Sequence, residues 1–597
     1  MDKTKLKGVA ALIAAAVAVI LAAFLCMSFP MAEVHAAEYD VSDGPSLVCR
    51  MAEAQEGDII RLQDSITIDL TDEATVQSMY GGRVEANKDL YLSADTTYPA
   101  HSQTLDLNGH TLTIITGYTR CFSLTGDVTL TIIDSSAERT GAIVGYSNGS
   151  LFYSETAESS LVLQDVAVKF TEYTEGDASI TPKGAVIHTV GDVTLNNVTY
   201  TPAEGGPALI KDNAGAQVSY VANTAEEHAA AVADSSYSTV MLGADITQNI
   251  TVEAGRTLTL DLNGHTLTAA AVDETAVVSN YGALTIVNTD TANTGAIQST
   301  DGSTWYTVFN EGTMTIGAEG EGYGELEVKN NSASSPASLV ENNYDCSAED
   351  PATLTIVSGT FTASGACLNA VKNDGYGICT IYGGTFRNEA EGGAAVMSAG
   401  TMTIYDGTFV QKYVPTVQTT ANAVRNASDD EKIVITGGTF TGNLLNDDAA
   451  GFAISGGRFD RTFNAEFLAE DAALYMPESG EGYVAVSTEP IEGMNKVVVY
   501  SGGVGYTSLQ AAINADGTEV GLASDITESV TVPSAVDIRI RMNGYTLTAE
   551  NDSDPVITVE GALTWVNVAG EVVSNVGVLV KDGGSITIEA APVITFT

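Results

Sequence analysis

Carboxylates are the most abundant reactive groups in this chain: 76 Asp and Glu stand against 25 Lys and Arg and 6 His. Hydrolytic chemistry would draw on Asp290 or on the adjacent pairs Asp429-Asp430 and Asp447-Asp448. Two carboxyls act as acid and base on a glycosidic bond only when held about 5–9.5 Å apart across it. Adjacency in sequence does not provide that separation, and chance alone produces such pairs in so acidic a chain. Asp290 ends a short strand before a polar stretch, and Asp134 fills the matching place earlier. Both read as corner caps. The histidines form no HExxH or other metal pair. There is no Walker-type loop, no GxGxxG opening a helix after a strand and no GxSxG elbow. No residue is assigned a catalytic or cofactor-binding role. No metal ligands are assigned either: the nonapeptide calcium repeat is absent, and stacked Asp side chains would give at most weak surface calcium binding.

Aromatic residues are the other chemistry to follow, because sugar sites on a repeat face draw on clustered Trp or Tyr. Trp305 and Trp565 are the two tryptophans. Tyr376, Tyr382 and Tyr405 stand where they could line one face, with core or corner packing as the ordinary expectation. Beyond residue 36, five cysteines remain (Cys49, Cys121, Cys346, Cys367 and Cys379), too few for a disulfide scaffold and odd in number. Most read as small buried hydrophobes. The net charge of −51 opposes nucleic-acid binding, which depends on Lys and Arg at phosphates, and opposes unassisted binding of acidic polysaccharides. Its plain role is to keep a large β-protein dispersed.

These residues are positioned by a repeat. Residues 257–268 read TLTLDLNGHTLT; the pattern recurs at 104–113 and, altered, at 538–548. Apolar residues alternate with small polar ones, the period of a half-buried strand, and are interrupted by Asn-Gly. The repeats make this a corner between two stacked strands rather than a hairpin. From Asp245 to Asn263, and from Asp525 to Asn543, is 18 residues in each case. Downstream, Gly359, Gly384, Gly407 and Gly438 each open Gly-Thr-Phe, and Gly457 opens Gly-Arg-Phe, at spacings of 25, 23, 31 and 19. The 31-residue step predicts a loop over residues 414–430. A single coil of about 20 residues buries too little to offset an ordering cost of about 1–2 kcal/mol per residue. Coils must therefore stack. Leu105, Leu107, Leu112, Leu258, Leu260, Leu262 and Leu267 are predicted to face inward, with Phe361, Phe386, Phe409, Phe440 and Phe459 in an interior stack.

Short helices at 45–54, 224–233 and 507–515 open three blocks, the second and third capped by Thr with Glu or Gln three residues on. Residues 1–36 read as a signal peptide: Lys3, Lys5 and Lys7, an apolar run, then Val34-His35-Ala36. Residues 37–217, 218–495 and 496–597 are the blocks, with joints near 213–222 and 489–505. Between Asp64 and Leu105 an insertion blurs the first register. The last block stops at PVITFT without a visible cap, which suggests a fragment.

The three LDLNGHTL-type motifs, the SLQAAI-type helices and the serial Gly-Thr-Phe corners together resemble bacterial cell-surface proteins with a right-handed parallel β-helix of the pectate-lyase-like superfamily. The closing stretch 452–486 fits that resemblance, which covers nearly all of the chain beyond residue 36. It implies a secreted, extracellular β-solenoid. The expected function is an adhesin, glycan- or matrix-binding or stalk protein without catalysis, with no membrane span beyond residue 36. The alternative is a carbohydrate-active enzyme on the same scaffold. Polygalacturonases of this superfamily combine Asn-Thr-Asp, Asp-Asp, Gly-His-Gly and Arg-Ile-Lys. Asn288-Thr289-Asp290 matches the first motif, while Gly-His-Gly and Arg-Ile-Lys are missing. Asn108-Gly109-His110 and Asn263-Gly264-His265 belong to the repeat. Lyase chemistry would need a basic residue beside calcium-binding carboxylates, and no pattern gathers Arg387, Arg425 or Arg458 near an acidic cluster.

Overall fold

A computed structural model of the chain describes residues 37–595, except 81–87, 94–100, 176–177, 201–206, 213–216, 271–274, 301–303, 331–336, 366, 391–392, 413–421, 448–449, 479–481, 502–503, 516–517, 567–570, 575 and 590–592. The signal-peptide reading falls outside the described residues. The chain forms two compact units, one ending at Ala216 and the other starting at Gln217.

In the first unit the chain winds repeatedly through three parallel sheets. Ile59–Leu62, Gln103–Asp106, Thr129–Ile133, Ser160–Gln164 and Asp192–Asn196 pair in sequence in the first sheet. Ile66–Asp69, Thr111–Ile115 and Ala142–Tyr146 begin the second. Leu90–Ser93, Arg120–Thr125, Ser150–Ser154 and Ile187–Thr189 form most of the third. Each turn of chain thus places one strand in each sheet, which is a parallel β-helix. The insertion contains a helix, Glu73–Tyr80, that sequence reading did not anticipate; Val76 and Tyr80 are buried. The coil around it keeps its register, with Ile66 opposite Leu112.

The second unit repeats this plan on a longer scale. Its first sheet runs from Val218–Ala222 through Thr257–Asp261 to Phe452–Ile454 in parallel register. All seven predicted leucines, from Leu105 to Leu267, are at most 1% exposed. The corner that turns each strand depends on Asn-Gly in positive φ: 46° and 82° at Asn108-Gly109, 45° and 75° at Asn263-Gly264, 51° and 89° at Asn543-Gly544. Only Gly and Asn reach this region cheaply. Each Asn side chain also donates to a carbonyl one coil back, Leu62, Leu242 and Leu522, at 3.0, 2.9 and 3.0 Å. Turn residue and inter-coil clamp are thus one side chain.

The five phenylalanines stack face to face, with centroids 4.9, 4.9, 4.8 and 4.7 Å apart and planes within 9°. That is the spacing of adjacent strands. The glycine before each ring has positive φ, 123° at Gly359 and 130° at Gly407. The predicted 414–430 loop is corrected in part: Asn422–Asn426 is a strand of the third sheet with Val424 buried, while residues 414–421 lie outside the described residues.

A second internal ladder went unread in the sequence. Asn280, Asn310, Asn342 and Asn373 are buried, and each Nδ2 donates to the next Oδ1 at 2.7 Å, the last reaching Ser398 Oγ at 3.0 Å. Their other amide hydrogens hold backbone carbonyls, such as Gly282 and Thr313 at 3.2 and 3.1 Å. An unpaired buried amide would be costly. The ladder satisfies each by stacking it on the next.

Three boundary expectations are corrected. The third helix is Leu509–Asn514, capped by Ser508 rather than Thr507, because Ser508 accepts from the Ala511 N–H. Residues 489–505 are not a bare joint: Val499–Ser501 pairs antiparallel with Val504–Tyr506. Val218–Ala222 is likewise a strand rather than part of a linker. The predicted closing stretch does close the long run of coils. Ala473–Pro477 and Val484–Ser487 pair antiparallel over the last rung, with Phe463 set edge-on to Phe459 at 4.8 Å.

Candidate functional site

Asn288-Thr289-Asp290 is built into the corner. Asn288 Oδ1 accepts the Gly264 N–H at 2.7 Å, and its Nδ2 reaches the carbonyls of Asn293 and Glu325 at 2.8 and 2.7 Å. Thr289 Oγ1 donates to Asp261 Oδ2 at 2.5 Å. Asp290 accepts from the Asn293 side chain at 2.8 Å and from the Ala292 and Asn293 N–H groups at 2.8 and 3.1 Å. Those donors hold its carboxyl below the usual carboxylate range. In the first unit Asp134 takes the Gly109 N–H at 2.7 Å, so its counterpart is Asn288 and not Asp290. The earlier alignment of these residues is two positions off.

The other acidic and basic candidates are dispersed. Asp447 pairs with Arg425 at 2.6 Å, Asp429 and Asp430 are exposed, and Asp448 lies outside the described residues. Arg387 and Arg458 stand on the second sheet and Arg425 on the third. Among the described residues no three His, Cys, Asp or Glu side chains cluster as a metal site. The five described cysteines are all free, and burial pushes the thiols of Cys121, Cys367 and Cys379 up to about 12. His228 is fully buried against Gln248 Oε1 at 2.8 Å.

The tyrosines stand at corners and not in the core. Tyr382 and Tyr405 directly follow two neighbouring first-sheet strands, Ile378–Ile381 and Thr401–Ile404. Rather than packing in the core, they are 48% and 47% exposed, with rings 5.0 Å apart and 4° from parallel. Tyr376, at the preceding corner with φ 66°, is 64% exposed. Trp305 is exposed and Trp565 buried. Two rings stacked face to face on consecutive coils make an exposed aromatic ridge in a chain rich in carboxylates.

A second cluster was not foreseen. Phe309, Glu341 and Lys372 occupy one register position on successive third-sheet strands. Lys372 Nζ lies 3.0 Å from Glu341 Oε1 and also contacts Asp374. Burial pushes the Glu341 carboxyl up to about 8, with Lys372 opposing and Asp374 adding to the rise. Burial works against the Lys372 ammonium, but the Glu341 and Asp374 carboxylates outweigh it and raise its pKa. Tyr306 and Tyr344 flank Phe309 at 5.5 and 6.4 Å. Glu341 has no exposed surface, so this group anchors the wall and offers substrate no carboxyl. No sequence period marks it, because its members lie about 31 residues apart on separate coils.

The chain is an all-β repeat protein, a parallel β-helix with its clearest aromatic surface at Tyr382 and Tyr405. No family model, curated protein or solved structure matched it in comparison. Among the described residues no helix is long and apolar enough to cross a membrane.

Proposed function

We propose that this protein is a secreted or cell-surface β-solenoid, resembling the pectate-lyase-like bacterial surface proteins, that binds a glycan or extracellular-matrix ligand without catalysis. The observation that carries the reading is the exposed, stacked Tyr382–Tyr405 pair. The edges and hydroxyls of an exposed stacked pair suit contact with a sugar or an extended chain, and rigid aromatics lose little conformational entropy on contact. The corner roles of Asn288, Thr289 and Asp290 support the non-catalytic side, because each is held by bonds that keep its corner folded.

The test is retention on a glycan array and on immobilised matrix proteins, comparing wild type with the Tyr382→Ala/Tyr405→Ala double variant. Binding should weaken roughly tenfold or more, about 1.4 kcal/mol, with unchanged thermal unfolding. Wild type and Asp290→Asn are also incubated with neutral and acidic polysaccharides, with and without calcium, and reducing ends and unsaturated products are followed. Turnover of any of them would favour the carbohydrate-active alternative. Equal retention of wild type and the double tyrosine variant would remove the tyrosine pair from the account.

A further inference from the structure

The third sheet of the first unit carries a cavity of about 380 Å³ that no motif announced. Its wall comes from three adjacent coils. Arg120 stands opposite Ser150 on neighbouring strands, and Tyr153 stands opposite His188 on the next. Lys183 and Gly184 enter from the segment before Ile187–Thr189. Gly149 lets the chain pass close: a Cβ there would lie 2.1 Å from the Thr119 carbonyl oxygen.

The side chains lining this cavity are basic, although the chain as a whole is strongly acidic. Arg120 and Lys183 line it, His188 adds an imidazole, and Lys88 lies close by with its ammonium 5.4 Å from the Tyr118 ring. Arg120 is only 20% exposed. Its guanidinium carbon sits 4.3 Å from the Tyr153 ring centroid, and His188 meets the same ring edge-on at 5.1 Å. The nearby acids are Asp89 and Glu155, both engaged by Arg120. Arg120 Nη1 donates to Glu155 Oε1 at 2.8 Å, and Nε approaches Asp89 Oδ2 at 3.2 Å but is too poorly aligned to form a hydrogen bond. Lys183 is exposed and has no ion-pair partner among the described residues. In a chain of net charge −51, Arg120 is thus balanced by Asp89 and Glu155, and Lys183 is left as the cation without an ion-pair partner among the described residues, at a recess large enough for a small ligand.

We infer that this recess binds a tetrahedral oxyanion ester, a sulfate or phosphate monoester carried by a small or terminal sugar. Planar carboxylates are best recognised by two parallel N–H groups of one arginine fork. Here the fork is turned toward Glu155 and Asp89, so the lining cation without an ion-pair partner among the described residues is the Lys183 ammonium. Four-cornered oxyanions accept from several directions at once, and a compact lysine ammonium serves them as a point charge. An extended polyanion would meet the carboxylates of the surrounding surface, whereas a single ester group meets only the recess. The site is independent of the tyrosine pair in the second unit.

The experiment titrates the full chain with four ligands on one ring, glucose 6-sulfate, glucose 6-phosphate, glucuronate and glucose, at constant ionic strength by calorimetry. The same titrations are run on Lys183→Gln and on the Tyr382→Ala/Tyr405→Ala variant. Saturable binding of one or both esters is expected, at least tenfold tighter than glucuronate and absent for glucose. Lys183→Gln should weaken it about tenfold, and the tyrosine variant should leave it unchanged. A preference between sulfate and phosphate identifies the source of the group within the same proposal. Glucuronate binding as well as the esters, no saturable ester binding, or Lys183→Gln binding like wild type would each overturn it.

Discussion

The long run of coils ending at residues 458–459 and the shorter run from Glu519–Leu522 onward begin alike and differ in what threads their interiors. Both open with a side-chain-capped helix, Thr224 or Ser508, and turn through the same Asn-Gly corner. In the long run, Phe and Asn ladders thread the interior, and the antiparallel strands Ala473–Pro477 and Val484–Ser487 cover the final rung. In the short run no aromatic stack forms among the described residues, and Leu579, Val580 and Ile588 are 45%, 42% and 55% exposed. The corner is thus enough to start a coil. What makes a run of coils cohere is a side chain repeated at one interior position, so that each rung presents the next with a copy of itself.

The largest expected effect tests that idea inside the long run. Phe409→Ala removes a ring stacked on both faces and should cost about 3–5 kcal/mol, more than a phenylalanine with one neighbour. Hydrogen exchange should accelerate in the strands of Phe386 and Phe440 as well as in its own. Exchange confined to the mutated coil would show that the rungs do not support one another.

A smaller effect concerns Glu341. Its folded pKa, about 8, lies above its unfolded value, so the native state holds a proton that the unfolded chain releases. Stability from this group is therefore full at pH below about 4.5 and falls as pH rises toward 8, by at most ~1.4 kcal/mol per pH unit. Glu341→Gln, neutral throughout, should match wild type near pH 4 and unfold at a higher temperature than wild type at pH 8. Parallel melting curves across that range would overturn the assignment.

The smallest effect is expected at an exposed position of the short run. Ile588→Ser removes an exposed side chain and should change stability by about 0.5 kcal/mol or less in urea unfolding. A loss above 1 kcal/mol would mean that Ile588 is covered in solution and that the two runs are more alike than they look.

Much of this architecture was legible because Leu258, Leu260 and Phe409 repeat a type at a fixed place in the coil. Tyr382 and Tyr405 were visible as residues but not as a surface. They follow their strands at the point where the chain turns, and the period of two does not say which way a corner side chain points. The asparagine ladder did leave a signal, Asn280-Tyr281-Gly282 and Asn310-Glu311-Gly312, but its steps of 30 to 32 residues are set by loops of unequal length. The recess around Arg120 left none, since Arg120, Lys183 and His188 meet only once the coils are stacked. The insertion hid Glu73–Tyr80 for a related reason: an eight-residue helix with two buried side chains carries little pattern.

The three Asn-Gly corners also set how the molecule will age. Spontaneous deamidation of Asn-Gly proceeds when the glycine nitrogen swings onto the asparagine side-chain carbonyl and closes a five-membered ring. At Asn108 and Asn263 the glycine N–H is tied to Asp134 and Asn288 at 2.7 Å, and the asparagine amide is clamped to the coil before it. At Asn543 the clamp on Leu522 is present as well. Held in this way, the corners should resist isoaspartate formation for as long as the coils stay stacked.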